Sequence, residues 1–257
     1  MSYALITGAS KGIGKAIATE LARRKINLLL VARSENLLEA AAVELRAKFG
    51  VEVLYCSVDL SAIGAAKKVY DWTQQSGHEI NILVNNAGYG LAGNFEKYPL
   101  EAQNAMMQIN MNTPMELVHL FLPQLKAKPQ SYILNIASTT AYQALPLLSV
   151  YAGAKAFILS FSRGLRYELR KTNVSVTCVS PGSTDTDFPN RADVGAKALK
   201  NAQKVNMSPE SVAQIAVASM FAKKTEVIAG FINKLGAFMA WLLPKKIVEK
   251  TAAGFYE

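Results

Sequence analysis

Cysteine and histidine are both scarce in this chain of 257 residues, which contains two of each. Cys56 and Cys178 lie far apart in apolar runs and form no C-x-x-C pair, so we expect two reduced thiols rather than a disulfide. Neither His78 nor His119 has a second ligand at metal-binding spacing. The sequence therefore predicts a cytoplasmic protein without a metal site.

Long hydrophobic runs are missing as well, although hydrophobic residues make up 51% of the chain. A spanning helix needs ~20 consecutive apolar residues. The nearest run, residues 228–243, is interrupted by Asn233 and Lys234. The first residues show no basic stretch followed by an apolar one, so we expect no secretory signal.

Acidic residues are the minority among the charged ones, with 19 against 28 lysines and arginines, and the formal net charge is +9. The basic residues are dispersed along the chain, as on an ordinary solvated surface. No basic stripe accompanies an element that could read bases, so we expect no nucleic-acid partner.

Strand-like and helix-like runs alternate up to about residue 230, which predicts a parallel sheet wound by crossover helices. The strand-like runs are continuous apolar stretches, as in strands buried on both faces. They cover residues 3–7, 27–32, 51–57, 80–85, 132–137, 175–180 and 226–228. Ser208 followed by Pro209 predicts the start of a late helix. With no repeat or linker, we expect residues 1–257 to form a single α/β domain with a doubly wound parallel sheet of about seven strands.

A glycine-rich turn, Gly8-Ala9-Ser10-Lys11-Gly12-Ile13-Gly14, separates the first strand from the first helix. Glycines at such a turn let backbone N–H groups approach a pyrophosphate at the helix N-terminus. The spacing excludes a P-loop, because Ala9 and Ala16 occupy its required Gly and Ser/Thr positions. It also excludes G-x-G-x-x-G, because Ile17 stands in place of the third glycine.

The pattern that remains, Thr7-Gly8-x-x-x-Gly12-x-Gly14, resembles the fingerprint of the short-chain dehydrogenase/reductase family. The resemblance implies a Rossmann fold and a nicotinamide cofactor held by the turn. The cofactor contacts expected there are Gly8, Ser10, Lys11, Gly12, Ile13 and Gly14.

The end of the second strand is where an Asp or Glu binds the ribose hydroxyls of NAD, and this chain has Arg33 there. A guanidinium cannot accept bonds from hydroxyls, but it clamps a 2′-phosphate with charge-assisted hydrogen bonds. Lys11, inside the glycine turn, is placed to reach the same phosphate. Arg33 and Lys11 together predict NADP(H) as the cofactor.

The third and fourth strands also end in polar residues. Asp59 resembles the family's adenine-contacting Asp, and Asn85-Asn86-Ala87-Gly88 resembles its Asn-Asn-Ala-Gly motif. Because parallel strands open onto one crevice at their carboxyl ends, we expect Asp59, Asn86, Ala87 and Gly88 to contact the cofactor.

Tyr151 and Lys155 stand at positions i and i+4, neighbours on one helix face. A phenol has a pKa of about 10, and a nearby ammonium lowers it by favouring the phenolate. Ser138 follows a strand thirteen residues before Tyr151, and Asn110 lies further upstream. The four residues resemble the Asn, Ser, Tyr, Lys tetrad of the same family in order and spacing.

The resemblance implies a catalytic role for each member of this tetrad. Tyr151 protonates the carbonyl oxygen when hydride is delivered, or removes the hydroxyl proton in the reverse direction, and Ser138 orients that oxygen. Lys155 lowers the pKa of the Tyr and holds the nicotinamide ribose, so Tyr151 and Lys155 also count as cofactor contacts. Asn110 holds a water in a proton relay behind Lys155.

The turn after the sixth strand, residues 181–186, resembles the family's P-G-x-x-x-T motif. The resemblance implies that Pro181, Gly182, Thr184 and Thr186 contact the nicotinamide end of the cofactor. The segment that follows, residues 187–207, varies within the family and decides the substrate.

We therefore expect an NADP(H)-dependent oxidoreductase that moves hydride between nicotinamide and a carbonyl or alcohol. An NADP(H)-binding sensor on the same fold is the alternative, which the complete tetrad disfavours. A serine hydrolase is disfavoured by the lack of a His partner and of a G-x-S-x-G elbow. The residues expected around the carbonyl are apolar or small, which indicates an apolar ketone or 3-oxoacyl-type substrate. They are Tyr89, Leu91, Ala92, Tyr142, Leu145, Leu147 and Leu148.

Residues 231–257 form an apolar, helical C-terminal extension. We expect it to pack over the substrate cleft or at a subunit interface, because a homodimer or homotetramer is usual in the family. A helix lying on a membrane surface, marked by Trp241 and the lysines, is the less favoured alternative. Packing on protein is favoured because Asn233, Lys234 and Gly236 interrupt the stripe that would face lipid. The large apolar residues are Phe231, Ile232, Leu235, Phe238, Met239, Trp241, Leu242 and Leu243.

Overall fold

A computed structural model of the chain describes residues 3–188, 192, 195, 199 and 206–256. Within these residues, seven strands form one parallel sheet in the order β3-β2-β1-β4-β5-β6-β7. The strands are β1 (Tyr3–Thr7), β2 (Asn27–Ala32), β3 (Val53–Ser57), β4 (Ile80–Asn85), β5 (Ser131–Ile136), β6 (Val174–Ser180) and β7 (Glu226–Ile228).

Helices connect the strands on both faces of the sheet. The α-helices are α1 (Gly12–Arg23), α2 (Glu35–Phe49), α3 (Ala65–Gln75), α4 (Leu100–Met107), α5 (Thr113–Lys126), α6 (Ser149–Glu168), α7 (Pro209–Phe221), α8 (Phe231–Leu242) and α9 (Lys245–Tyr256). Short 3₁₀ turns cover Phe95–Lys97 and Thr139–Tyr142, and a π-helical turn covers Gln108–Asn112. This architecture confirms the predicted single-domain Rossmann fold with its helical extension.

The predicted strands agree with the observed ones to within one or two residues at their ends. The largest difference is at β3, which begins at Val53 rather than at residue 51. The cause is local, because the backbone N–H of Glu52 donates to Asn27 Oδ1 at 3.0 Å. Ladder pairing with β2 therefore starts at Val53, two residues later than predicted. The late helix begins at Pro209 as predicted, with Ser208 Oγ accepting from the N–H of Ser211.

The winding of the sheet changes direction between β1 and β4. From β1 the chain builds outward through β2 to β3, and then returns to place β4 on the other side of β1. Hydrophobic clusters cover the two faces, one with Ile17 and Leu21 from α1, the other with Leu117 and Phe121 from α5. In open α/β sheets a ligand crevice forms at such a switch point, beyond the carboxyl ends of the strands.

Helix α1 packs so closely against the end of β1 that Gly14 has no room for a side chain. A Cβ at Gly14 would overlap the carbonyl oxygen of Gly8 and would lie 2.5 Å from Asn86 Nδ2. Gly164, in α6, provides the contrast, because it is exposed and a Cβ there would meet nothing within 4 Å.

We predict opposite effects of alanine at these two helical glycines. Gly14→Ala should lower the free energy of unfolding by about 1–3 kcal/mol, as overpacking does. Gly164→Ala should raise it by up to ~1 kcal/mol, because alanine has the better helix propensity. Urea denaturation measures both, and a Gly14→Ala variant as stable as the parent would contradict the close approach.

Candidate active site

The ends of β1 and β4 are joined through Thr7 and Asn86. Thr7 Oγ1 donates to the carbonyl of Val84 at 3.1 Å and accepts from the N–H groups of Asn86 (3.0 Å) and Ala87 (3.1 Å). In return, Asn86 Nδ2 donates to the carbonyls of Thr7 (3.0 Å) and Gly8 (3.3 Å). We call this reciprocal bonding the Thr7–Asn86 clasp. It holds the glycine turn against the end of β4.

The glycine turn itself depends on left-handed backbone at Gly8 (φ 68°) and Gly12 (φ 57°), a region that glycine enters without strain. Helix α1 starts at Gly12, and Gly12 and Ile13 border the cleft described next. The first N–H groups of a helix have no partner inside it and carry a partial positive charge. This end of α1 is therefore suited to hold an anion.

A cleft of about 1510 Å³ opens beyond the carboxyl ends of the strands, beside the glycine turn. It brings together residues that follow β1, β2, β3, β4, β5 and β6. The predicted site residues that line it are Gly8, Ser10, Lys11, Gly12, Ile13, Arg33, Asp59, Asn86, Ala87, Gly88, Ser138, Tyr151, Lys155, Pro181, Gly182, Thr184 and Thr186.

Two predicted site residues do not line the cleft. Gly14 lies beneath the turn, where it permits the close packing of α1. Asn110 is buried, and its Nδ2 donates to the carbonyls of Tyr89 (2.8 Å) and Met106 (2.9 Å). Its Oδ1 faces Gly88 and, within the described residues, accepts no hydrogen bond. Asn110 therefore stands behind the cleft with one buried acceptor available.

Arg33, Lys11 and Asp59 all line the cleft. Arg33 is exposed directly after β2. Asp59 Oδ1 accepts from both the N–H (3.0 Å) and the hydroxyl (2.7 Å) of Ser61, which fixes its carboxylate. Lys11 forms an ion pair with Asp187, which links the glycine turn to the segment after β6. This pair could not be predicted from the sequence, because its members are 176 positions apart.

Ser138, Tyr151 and Lys155 also line the cleft. Tyr151 and Lys155 lie one turn apart on α6 and are almost fully buried, and Lys155 Nζ lies 5.6 Å from the centre of the Tyr151 ring. Lys155 Nζ also donates to the carbonyl of Ile136, at the end of β5, at 3.1 Å. Ser138 Oγ accepts from the N–H of Thr140, which fixes the turn that follows β5.

The ammonium of Lys155 is buried without a carboxylate hydrogen-bonded to it in the described part of the chain. Burial lowers the pKa of Lys155 from 10.5 to about 8. Lys155 nevertheless remains mostly protonated at pH 7, and its positive charge stands on the same helix face as Tyr151.

The turn after β6 closes one side of the cleft. Thr186 packs on Gly12, so that a Cβ at Gly12 would lie 3.1 Å from Thr186 Cγ2. Thr184 forms an isolated bridge with Met207. Gly182 lies directly against the side-chain amide of Asn233 on α8, with no room for a Cβ. Asn233 is a site residue that sequence reasoning had treated only as an interruption of an apolar stripe.

Of the seven residues expected around the substrate carbonyl, three line the cleft. Tyr142, Leu145 and Leu148 line the cleft. Tyr89, Leu91 and Ala92 pack instead in the hydrophobic cluster that contains Tyr151, and Leu147 lies beside a small separate pocket. Within the predicted variable segment 187–207, residues 189–191, 193–194, 196–198 and 200–205 lie outside the described residues.

The extension forms part of the cleft wall and adjoins the turn after β6 through Asn233. Both of its helices line the cleft, mostly with apolar or small side chains, which supports the prediction that the tail covers the cleft. These residues are Ile232, Asn233, Gly236, Ala237, Met239, Ala240 and Leu243 from α8 and its end, and Val248, Thr251 and Ala252 from α9.

The hydroxyl of Tyr142 is held in hydrogen bonds and is not available as an acid. It donates to Glu226 Oε1 at 2.8 Å, and its oxygen accepts from the hydroxyl of Ser180, whose Oγ lies 3.2 Å away. Burial and the Glu226 carboxylate raise the pKa of Tyr142 above its ordinary value. Tyr142 is therefore a wall of the cleft, fixed by hydrogen bonds.

Comparison with known proteins gives concordant matches. Residues 2–195 match the family model described as short chain dehydrogenase. An uncharacterized oxidoreductase of Staphylococcus saprophyticus is 30% identical over 214 residues, which cover 83% of this chain and 88% of that protein. The very-long-chain 3-oxoacyl-CoA reductase-A of Danio rerio is 36% identical over 184 residues. That match covers 70% of this chain but only 57% of the reductase.

Solved structures share the whole architecture. A 7β-hydroxysteroid dehydrogenase superposes with a TM-score of 0.88 at 26% identity, covering 98% of this chain and 96% of that one. A short-chain dehydrogenase from Sphingobium yanoikuyae in complex with NADPH superposes with a TM-score of 0.83 at 28% identity, covering 94% and 93%.

The lowered pKa of Lys155 predicts a pH-dependent stability. Between about pH 8 and 10.5 the unfolded chain holds a proton on this amine that the folded chain has lost. The free energy of unfolding contributed by Lys155 therefore rises with pH in that window and is lowest below pH 8. Lys155→Met should be more stable than the parent at pH 7, and its advantage should shrink above pH 8 by at most ~1.4 kcal/mol per pH unit.

Urea denaturation at a series of pH values from 7 to 10, without added cofactor, measures this difference. Lys171→Met changes an exposed lysine and serves as the matched control, with a difference from the parent that does not vary with pH. A constant difference for Lys155→Met would show that its pKa is not lowered.

Proposed function

The chain belongs to the short-chain dehydrogenase family, and on this premise we propose that it is an NADP(H)-dependent oxidoreductase acting on a carbonyl or alcohol. The observation that carries the proposal is the meeting of Ser138, Tyr151 and Lys155 with the glycine turn in one cleft. An acid/base group, an oxygen-orienting hydroxyl and an anion-binding helix end are the parts that hydride transfer to a carbonyl requires.

The residues at the adenosine end fit a phosphorylated dinucleotide. The start of α1 supplies N–H groups for a pyrophosphate, and Gly8 and Gly14 keep the backbone there free of side chains. We assign the 2′-phosphate to Arg33. Lys11 also donates hydrogen bonds to this phosphate, either while it stays paired with Asp187 or after leaving that pair. Asp59 is assigned to the adenine. The Sphingobium yanoikuyae neighbour is in complex with NADPH, which agrees with this choice.

The residues at the other end fit a nicotinamide. We assign Asn86, Ala87 and Gly88 to the wall beside it, and Lys155 and Tyr151 to its ribose. Pro181, Gly182, Thr184 and Thr186 fix the carboxamide and determine which face is presented to the substrate. When bound, NADP(H) supplies or accepts the hydride.

The protein's own part in the chemistry is to orient the substrate oxygen and to move one proton. Ser138 donates a hydrogen bond to that oxygen, and Tyr151 gives it a proton in reduction or takes one in oxidation. The protonated Lys155 favours the phenolate of Tyr151, because opposite charges at this distance stabilise each other in a buried site. The available Oδ1 of Asn110 supports its proposed place in a relay that returns the proton from solvent.

The walls of the cleft favour an apolar ketone or a 3-oxoacyl-type compound as the substrate. Leu145, Leu148 and Phe188 line it together with the tail residues Leu243 and Val248, and all five are apolar. Curated relatives include very-long-chain 3-oxoacyl-CoA reductases, and the structural neighbours include a hydroxysteroid dehydrogenase. A very long acyl chain and a steroid are both large apolar groups.

Tyr151→Phe tests the proposed acid/base. The ring and its packing remain while the transferable proton is lost, so kcat for ketone reduction should fall by about 10²–10⁴-fold. The Kd for NADPH should change little. Tyr167→Phe makes the same change at an exposed position of the same helix and should leave kcat unchanged. If Tyr151→Phe kept a kcat close to that of the parent, a group other than Tyr151 would be the acid/base.

Arg33→Asp tests the cofactor choice. The parent should bind NADPH more tightly than NADH, and the variant should lose NADPH affinity by about ten- to a hundredfold, corresponding to ~1.5–3 kcal/mol for a charged hydrogen bond. Arg170→Asp, which makes the same charge change near the start of β6, should keep the parental preference. Titration of both cofactors into each protein decides the matter, and equal or tighter binding of NADH by the parent would contradict the assignment.

A further inference from the structure

Helix α8 presents two unlike faces. The face toward the protein carries small or polar residues: Asn233 packs on Gly182, Ala240 is buried, and Gly236 and Ala237 line the cleft. Three residues were expected to interrupt a lipid-facing stripe, namely Asn233, Lys234 and Gly236. Asn233 and Gly236 lie instead on the inner face, where they line the cleft, and of the three only Lys234 lies away from the cleft, exposed to solvent.

The outer face of the extension carries large apolar side chains that the described part of the chain leaves uncovered. Phe231 is 79% exposed and Trp241 72%, and the rings of Phe238 and Trp241 lie 6.0 Å apart. We call this set the outer apolar face. It consists of Phe231, Leu235, Phe238, Trp241 and Leu242 of α8 and Ile247 of α9, each more than half exposed. Soluble monomers rarely leave so large a contiguous apolar patch without a function.

The charges beside this face are almost all positive. Lys234, Lys245, Lys246 and Lys250 are exposed on the two helices, against the single acidic residue Glu249 in residues 231–256. The chain as a whole also carries a formal net charge of +9. Pairing of two identical faces would bring these lysines together with few acids to neutralise them. An anionic lipid surface, in contrast, is complementary to both the lysines and the apolar face.

We propose that α8 and α9 lie on an anionic lipid surface, with the outer apolar face inserted among the headgroups. Aromatic and aliphatic side chains on one side with lysines beside them are the features of helices that lie in the membrane interface. None of the helices in the described ranges is long and apolar enough to cross a membrane. Because the inner faces of the same helices line the cleft, the lipid surface lies directly behind the substrate wall.

The test is flotation of the full chain with vesicles at physiological salt, without cofactor or substrate, so its outcome does not depend on the proposed reaction. Vesicles of phosphatidylcholine mixed with phosphatidylglycerol should carry the protein upward in a density gradient. Vesicles of phosphatidylcholine alone should carry much less. No flotation with the anionic vesicles would overturn the proposal.

Two double variants test whether flotation depends on the outer apolar face. Phe238→Ser with Trp241→Ser should reduce the partition coefficient at least tenfold. Ile63→Ser with Tyr167→Ser, exposed apolar residues outside the extension, should not change it. All four side chains are more than half exposed, so each double variant should keep the parental circular dichroism and Tm. Equal effects of the two pairs would overturn the assignment.

The lysines are tested by neutralisation. Lys246→Gln with Lys250→Gln should lower the partition coefficient for anionic vesicles about thirtyfold, from ~1 kcal/mol per lysine near the surface. Lys126→Gln with Lys171→Gln, exposed lysines close to the starts of β5 and β6, should have little effect. The alternative is that the outer apolar face pairs two copies of the chain. In that case the parent would not float, and it would form a dimer in solution that the double variant Phe238→Ser with Trp241→Ser dissociates.

Discussion

Thr7 and Asn86 hold the ends of β1 and β4 together at the point where the winding of the sheet changes direction. The hydroxyl of one and the amide of the other satisfy backbone groups that would otherwise be left unpaired where two parallel strands part. The glycine turn can then pass over β4 without a side chain at Gly8 or Gly14. The start of α1 faces the cleft as a result, and the later strand ends are arranged around it.

The positive charges of the cleft differ in their exposure. Arg33, which lines the cleft together with the glycine turn, is exposed to solvent, whereas Lys155 is buried. Burial brings the pKa of Lys155 down to about 8, low enough to be sensitive to its surroundings and high enough to keep its proton at neutral pH. The positive charge of Lys155 would stabilise a phenolate at Tyr151 more strongly than it would in water, because the buried surroundings screen the charge poorly.

The fold and most of the cleft could be predicted from the sequence because their signals are local. Apolar runs mark the strands, and positions such as Arg33 and Ser138 follow them directly, so parallel topology alone brings them to one edge. The contacts that were missed are long-range: Lys11 with Asp187, and Asn233 with Gly182. The orientation of α8 was not predicted because its inner face carries small residues and Asn233 while its large apolar side chains face outward, the reverse of the usual amphipathic pattern.

Transfer of deuterium from the cofactor to a product tests the central claim most directly. The chain would be incubated with NADPH deuterated at C4 of the nicotinamide and a panel of apolar ketones and 3-oxoacyl thioesters, and the products analysed by mass spectrometry. The account predicts an alcohol with one deuterium on the former carbonyl carbon, from only one of the two C4-labelled epimers. Tight binding of NADPH with no reduction of any carbonyl in the panel would contradict it and would indicate a cofactor-binding protein instead of an enzyme.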